Sequence, residues 1–137
     1  MKSGKIKKKR GMSPTQRSLK KARDAGYLAG ITEKWVPFPP PGHRSDLFGF
    51  IDLIILQGPY TVAIQTTSGS NLSVRLAKIK AEPRAAQWLD GGTRKIVIHG
   101  WRKGGPRGKR KVWGCRELEV TADMLNPTKP KIGVAPA

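Results

Sequence analysis

Asp52 and Gln65 are polar residues set in two otherwise apolar, β-branched runs, Phe48–Leu56 and Tyr60–Thr66. A carboxylate inside such a run is costly to bury unless a metal, a proton or a partner compensates it. Gln57-Gly58-Pro59 separates the runs and reads as the turn of a β-hairpin. Counted from a turn centred near Gly58, Asp52 lies six residues back and Gln65 seven forward, so the two face each other nearly in register. Paired oxygen ligands on neighbouring strands suit Mg²⁺ or Mn²⁺. A cation held there polarises a phosphate and lowers the pKa of a bound water for attack on phosphorus. Asp46, six residues before Asp52, is either a further ligand on the same strand face or a partner of Arg44. The alternative for Asp52 is a buried ion pair with Arg44 or Arg75.

The elements that must position these residues are legible in outline. Ser13-Pro14 reads as an N-cap followed by proline at the first helical position. The helix runs to about Ala25 and stops at Gly26, with Leu19 and Ala22 as its apolar stripe and Arg17, Lys20, Lys21 and Arg23 around it. Ile31–Val36 alternates as a strand, placing Glu33 on a face with Ile31 and Trp35. Phe38–Gly42, with three prolines, is an extended connector.

Beyond the hairpin, Asn71 is placed to cap a helix carrying Leu72, Leu76 and Ile79, from which Arg75 points back towards the strand end. Pro83 opens a second short helix, Thr93–Gly100 is a returning strand, and Trp113–Thr121 is the last strand. Strand, helix, strand is the pattern of a parallel crossover. The chain therefore reads as an α/β domain whose central strands are covered on both faces.

Charge narrows the class of partner. The 137 residues hold 27 Lys and Arg against 9 Asp and Glu, a formal net charge of +18. Such an excess favours a polyanion, because each phosphate contact releases counterions. An acidic membrane surface is the competing partner, but no apolar run reaches the roughly 18–20 residues of a spanning helix. No signal peptide is read at the start. The single Cys115 has no internal disulfide partner, which places the chain in a reducing, cytoplasmic compartment. It and the two histidines, His43 and His99, have no zinc-ligand spacing.

Length and composition give one domain at residues 13–125, a flexible basic arm at 1–12 and a disordered tail at 126–137. Lys7, Lys8, Lys9 and Arg10 of the arm are placed to contact phosphates without reading sequence, and a solubilising or localisation role is the alternative. Trp101–Lys111 reads as a basic hairpin tip. Arg102, Lys103, Arg107, Lys109 and Arg110 are its candidate phosphate contacts, and Trp101 and Trp113 either stack on bases or pack in the core.

An aspartate, thirteen residues, then a doublet after an apolar strand resembles the PD-(D/E)XK nuclease superfamily. The likeness is greatest to the branch of archaeal-type Holliday-junction resolvases and small phage-encoded nucleases. Glu33-Lys34-Trp35, Arg44 to Asp52, and Ile64-Gln65-Thr66-Thr67 with Asn71, Arg75, Lys78 and Ile79 resemble uncharacterised phage and bacterial members, as do Trp101-Arg-Lys and Trp113 to Glu117. The resemblance covers about residues 13–121.

It implies a restriction-endonuclease-like core of helix, three-stranded meander, helix and further strand. It implies Asp52 as the metal-binding aspartate, Gln65 in the place of the acidic residue of the doublet, Thr67 in the place of its lysine, and Glu33 as an additional ligand. Gln65 keeps a ligating oxygen without the charge, and Thr67 is no cation, so Arg75 or Lys78 is left to serve in that role, with Arg44 as a further nucleic-acid contact that positions or neutralises the phosphate. The activity implied is Mg²⁺- or Mn²⁺-dependent cleavage of DNA, branched DNA included, by a homodimer. A nucleic-acid-binding protein on a degenerate nuclease fold and a basic RNA-binding protein are the alternatives.

Overall fold

A computed structural model describes residues 11–125; the basic arm's Lys7, Lys8, Lys9 and Arg10 and the tail at 126–137 lie outside them. Helix α1 spans Pro14–Asp24, opened by a capping box in which the Ser13 hydroxyl accepts from Gln16 N–H and the Gln16 side chain accepts from Ser13 N–H. Its end is set by Gly26 at φ 93°. Strands β1 (Leu28–Ile31), β2 (Lys34–Val36), β3 (His43–Ser45), β4 (Leu53–Gln57) and β5 (Tyr60–Ser68) follow. A 3₁₀ turn, Gly69–Asn71, leads into α2 (Leu72–Lys80), then α3 (Pro83–Leu89), β6 (Arg94–Gly104), β7 (Val112–Val120) and the single turn α4 (Ala122–Leu125).

Five strands form one mixed sheet in the order β1-β4-β5-β6-β7. Every pairing is antiparallel except β5 with β6, which α2 and α3 connect in parallel. Both faces are covered, as the alternation of β5 requires. Ala63, Ile96, Ile98 and Val120 pack with Leu72, Ile79, Ala85 and Leu125 on one side. Val62, Ile64, Leu53 and Ile55 pack with Ala22 and Ala29 on the other, under α1. Gly100 lets α2 start close to the sheet: a Cβ there would lie 2.9 Å from Leu72 Cγ and 3.2 Å from Gly69 Cα. That close approach sets where Arg75 and Lys78 emerge.

Four sequence expectations are corrected. The strand expected over Ile31–Val36 is two: β1 joins the main sheet, while β2 pairs with β3 in a separate ribbon. Thr32 N–H and Glu33 N–H both donate to Asp52 O, at 2.9 and 3.3 Å, so the chain breaks where it meets the neighbouring strand's end. The run from Phe48 is also not all strand. Leu47 and Ile51 form an isolated bridge closed over Phe48 (φ 54°) and Gly49 (φ 81°), so Asp46 and Asp52 flank a turn and do not share a strand face. Asn71 does not cap α2 with its side chain, because the 3₁₀ turn precedes the helix. Finally, Trp101, Arg102 and Lys103 belong to β6, which runs on to Gly104 against β7.

Candidate metal and phosphate site

The cleft at the ends of β4 and β5 is built from five elements. The sheet supplies Asp52, Gln65, Thr66 and Thr67; the β1–β2 link supplies Glu33; the turn after β3 supplies Asp46; α1 contributes Ser13 and Thr15; and α2 contributes Arg75 and Lys78. Glu33, Asp46 and Asp52 each bring a carboxylate oxygen within 4.8 Å of the others. Three of the chain's nine acidic residues thus meet at one point in a protein of net charge +18.

Asp52 is buried, and its Oδ2 accepts three hydrogen bonds: from Gln65 Nε2 at 2.8 Å, Thr66 N–H at 2.7 Å and Thr66 Oγ1 at 3.0 Å. Thr66 Oγ1 is in turn 2.8 Å from Thr15 Oγ1, which fastens α1 to the site. Neither Arg44 nor Arg75 pairs with Asp52, contrary to the ion-pair alternative. Arg44 reaches Glu33 at 3.2 Å, and Asp46 pairs with Lys78 at 3.5 Å where an Arg44 partner had been the alternative.

Burial, a hydrogen bond with Asp46 and the nearby charges of Asp46 and Glu33 push Asp52 up to about 7, against the opposing pull of the Thr66 N–H. Glu33 and Asp46 each have a cationic partner, Arg44 and Lys78, whereas buried Asp52 is met by Gln65 and Thr66 alone.

The donor set is all oxygen, the chemistry of a hard divalent cation. Gln65 tests the fit. Its Nε2 donates to Asp52 and, at 3.4 Å, to Asp46, while its Oε1 is the one buried side-chain N or O atom without a partner among the described residues. Turning the amide by 180° aims the carbonyl oxygen at the carboxylates, which is repulsive alone and favourable around a cation. Glu33, Asp46, Asp52 and Gln65 fit Mg²⁺ or Mn²⁺.

Sequence reasoning brought Asp52, Gln65, Glu33, Thr67, Arg75 and Lys78 to this cleft, and all of them line it. Thr67 is buried and uncharged, so the cations at the cluster come from Lys78, which pairs with Asp46, and Arg44, which pairs with Glu33. Thr15 and Thr66 were missed; their hydroxyls carry no motif. Arg102, Lys103, Arg107, Lys109 and Arg110 are exposed on β6 and the following turn, and none lines the cleft. Trp101 donates its indole N–H to Ser18 Oγ at 2.8 Å, and Arg17 lies 3.9 Å from the centre of the Trp113 ring. Both rings thus serve the α1–sheet contact.

A second cluster appears where spacing had suggested none. Strand pairing sets His99 opposite Glu117, and Cys115 comes within 4.8 Å of both.

Comparison of the chain with protein-family models, with curated proteins and with solved structures finds no match. No helix among the described residues is long and apolar enough to cross a membrane.

Proposed function

We propose that the protein is a Mg²⁺- or Mn²⁺-dependent endonuclease acting on DNA, branched DNA included, on a restriction-endonuclease-like core. The observation that carries this reading is the convergence of Glu33, Asp46 and Asp52 beside Lys78 and Arg75. The element order supports it: α1, the antiparallel series β1–β4–β5, then a helical crossover to parallel β6. So does the similarity of the Asp52 to Thr67 stretch to the nuclease superfamily.

Glu33, Asp46, Asp52 and the Gln65 carbonyl are the residues that would hold the cation. When bound, it supplies Lewis acidity at a phosphate oxygen and a water of lowered pKa. The chain's own groups do the rest. Lys78 and Arg75 stand at the mouth of the cleft as the cations that neutralise charge building on phosphorus, in place of the lysine that Thr67 replaces. Thr66 and Thr15 hold Asp52 in one orientation. The exposed cations of β6 and its turn are suited to flanking phosphates.

One observation favours a second reading, a nucleic-acid-binding protein that no longer cleaves: the doublet is Gln65-Thr66-Thr67, without either family charge. Incubation with branched and linear DNA plus Mg²⁺ or Mn²⁺, beside Asp52→Ala, separates the two. Metal-dependent nicking lost in the variant is the expected result. Salt-sensitive binding without cleavage by either protein selects the binder.

A further inference from the structure

Four tryptophans lie in this chain, and three have an internal task. Trp88 donates to Lys95 O at 2.9 Å, Trp101 to Ser18 Oγ at 2.8 Å, and Trp113 carries the Arg17 guanidinium on its ring. Trp35 is different: it stands 58% exposed on the β2–β3 ribbon. Exposure of a single apolar side chain is ordinary, but this indole is paired across the ribbon with Arg44, which lines the cleft, so its open face adjoins the site.

Its position is also fixed. A Cβ on Gly42 would lie 2.5 Å from Trp35 Cζ2, so the indole rests directly on the glycine backbone, and Gly42 sits at φ 92°, where a side chain is strained. The ring is supported from the protein side and open on the other.

Register then supplies the chemistry. Trp35 is paired directly with Arg44, and directly paired residues project from the same face of an antiparallel ribbon. Arg44 reaches the acidic cluster through Glu33 at 3.2 Å. An aromatic face thus stands next to a guanidinium that adjoins the cleft, with Lys34 and His43 exposed on the same ribbon. An aromatic surface beside a cation is how a base and its phosphate are held together, whatever the base. In duplex DNA both faces of a base are covered by its neighbours, so the ligand must offer an unstacked one.

We propose that the β2–β3 ribbon binds an unpaired nucleotide of a single-stranded or splayed nucleic acid, Trp35 stacking on the base and Arg44 meeting its phosphate. This rests on the reading of the cleft as a nucleic-acid site, and it makes a strand end, fork or branch the preferred substrate over continuous duplex.

The test is binding by the full chain in EDTA, so that cleavage plays no part. Fluorescence anisotropy is read with labelled oligo-dT, oligo-rU, a blunt duplex and a fork carrying the same duplex. Trp35→Ala is expected to weaken oligo-dT and the fork by about 5- to 100-fold while moving the blunt duplex less than about twofold. Trp35→Phe keeps the stacking face and stays within about threefold of the parent. Removing Trp35 leaves the salt dependence of binding unchanged, whereas Arg44→Ala reduces its slope by about one. The oligo-rU arm tells DNA from RNA as the source of the base.

Equal losses on fork and blunt duplex, an unchanged fork affinity in Trp35→Ala, or no binding of any probe by the parent protein overturns the proposal. Binding in EDTA is compared with nicking in Mg²⁺ by the parent protein: Trp35-dependent fork binding without nicking fails the nuclease reading alone, and nicking with a fork affinity unmoved in Trp35→Ala fails this one alone.

Discussion

Two side-chain clusters of this protein each gather three possible ligand residues and differ in how their charge is met. Glu33, Asp46 and Asp52 at the end of β4 and β5, and His99, Cys115 and Glu117 under α1, each bring three ligand atoms within 4.8 Å of one another. In the second, the one carboxylate is already met by Lys21 at 3.6 Å. His99 is held below its usual value by burial, with Glu117 opposing and Lys21 reinforcing that shift, and its Nδ1 lies 2.8 Å from Ser18 Oγ. Burial pushes the Cys115 thiol up to about 11. The cluster is balanced, and a cation entering it would have to displace a lysine and a thiol proton. In the first cluster Glu33 and Asp46 are paired with Arg44 and Lys78, while Asp52 is pushed up to about 7 by burial first and by its carboxylate neighbours second. Proximity of ligand atoms is common to both clusters, so the proposed cation site rests on how each carboxylate is already met.

The largest expected effect tests that distinction directly. Asp52→Ala is expected to reduce Mg²⁺-dependent nicking of branched DNA at least about a hundredfold, while Cys115→Ser stays within about twofold; a comparable loss in both would erase the difference between the clusters.

Next comes pH. Because protons compete with the cation for Asp52, the apparent Mn²⁺ affinity, read from the metal-induced rise in Tm, is expected to fall about tenfold per pH unit below about 7 and to level off above it. A pH-independent Mn²⁺ effect would move the cation elsewhere.

Stability without metal follows the same sign. The folded value of Asp52 lies above its ordinary 3.8, so between about pH 4 and 7 the folded state holds a proton that the unfolded chain has released. That stabilising contribution is fully present below pH 4 and is lost as pH rises through 7. Asp52→Asn, which keeps an acceptor for Thr66 and gains a donor for Asp46, is expected to raise the metal-free Tm at pH 8 by about 5 °C and to abolish the metal-induced shift. A lowered Tm in this variant would mean that the carboxylate is not strained.

The smallest effect belongs to the balanced cluster. Lys21→Met removes a largely exposed ion pair and is expected to cost under about 1 kcal/mol in urea denaturation, with no new response to Mn²⁺.

Much of this was written in the chain. Ser13-Pro14 and Gly26 delimit α1 because capping and positive φ are local properties, and the 3.6-residue spacing of Leu72, Leu76 and Ile79 gives α2 its buried side. Gln57-Gly58-Pro59 gives the hairpin that sets Asp52 beside Gln65, since register follows from a short turn.

Tertiary structure alone decided the rest. Asp46 enters the site by a turn over Phe48 and Gly49, though Phe48 in a run of apolar residues favours a strand. Glu33 reaches it because β1 ends where Asp52 takes its N–H bonds. Thr15 and Thr66 join it across 51 residues of sequence, and His99 meets Cys115 and Glu117 only through the β6–β7 pairing. Sequence by itself determined which residues are out of place, an acid in an apolar run above all, because burial cost is a property of the residue. Which cations, hydroxyls and carboxylates answer that misfit depends on packing between elements far apart in the chain, and no local pattern encodes it.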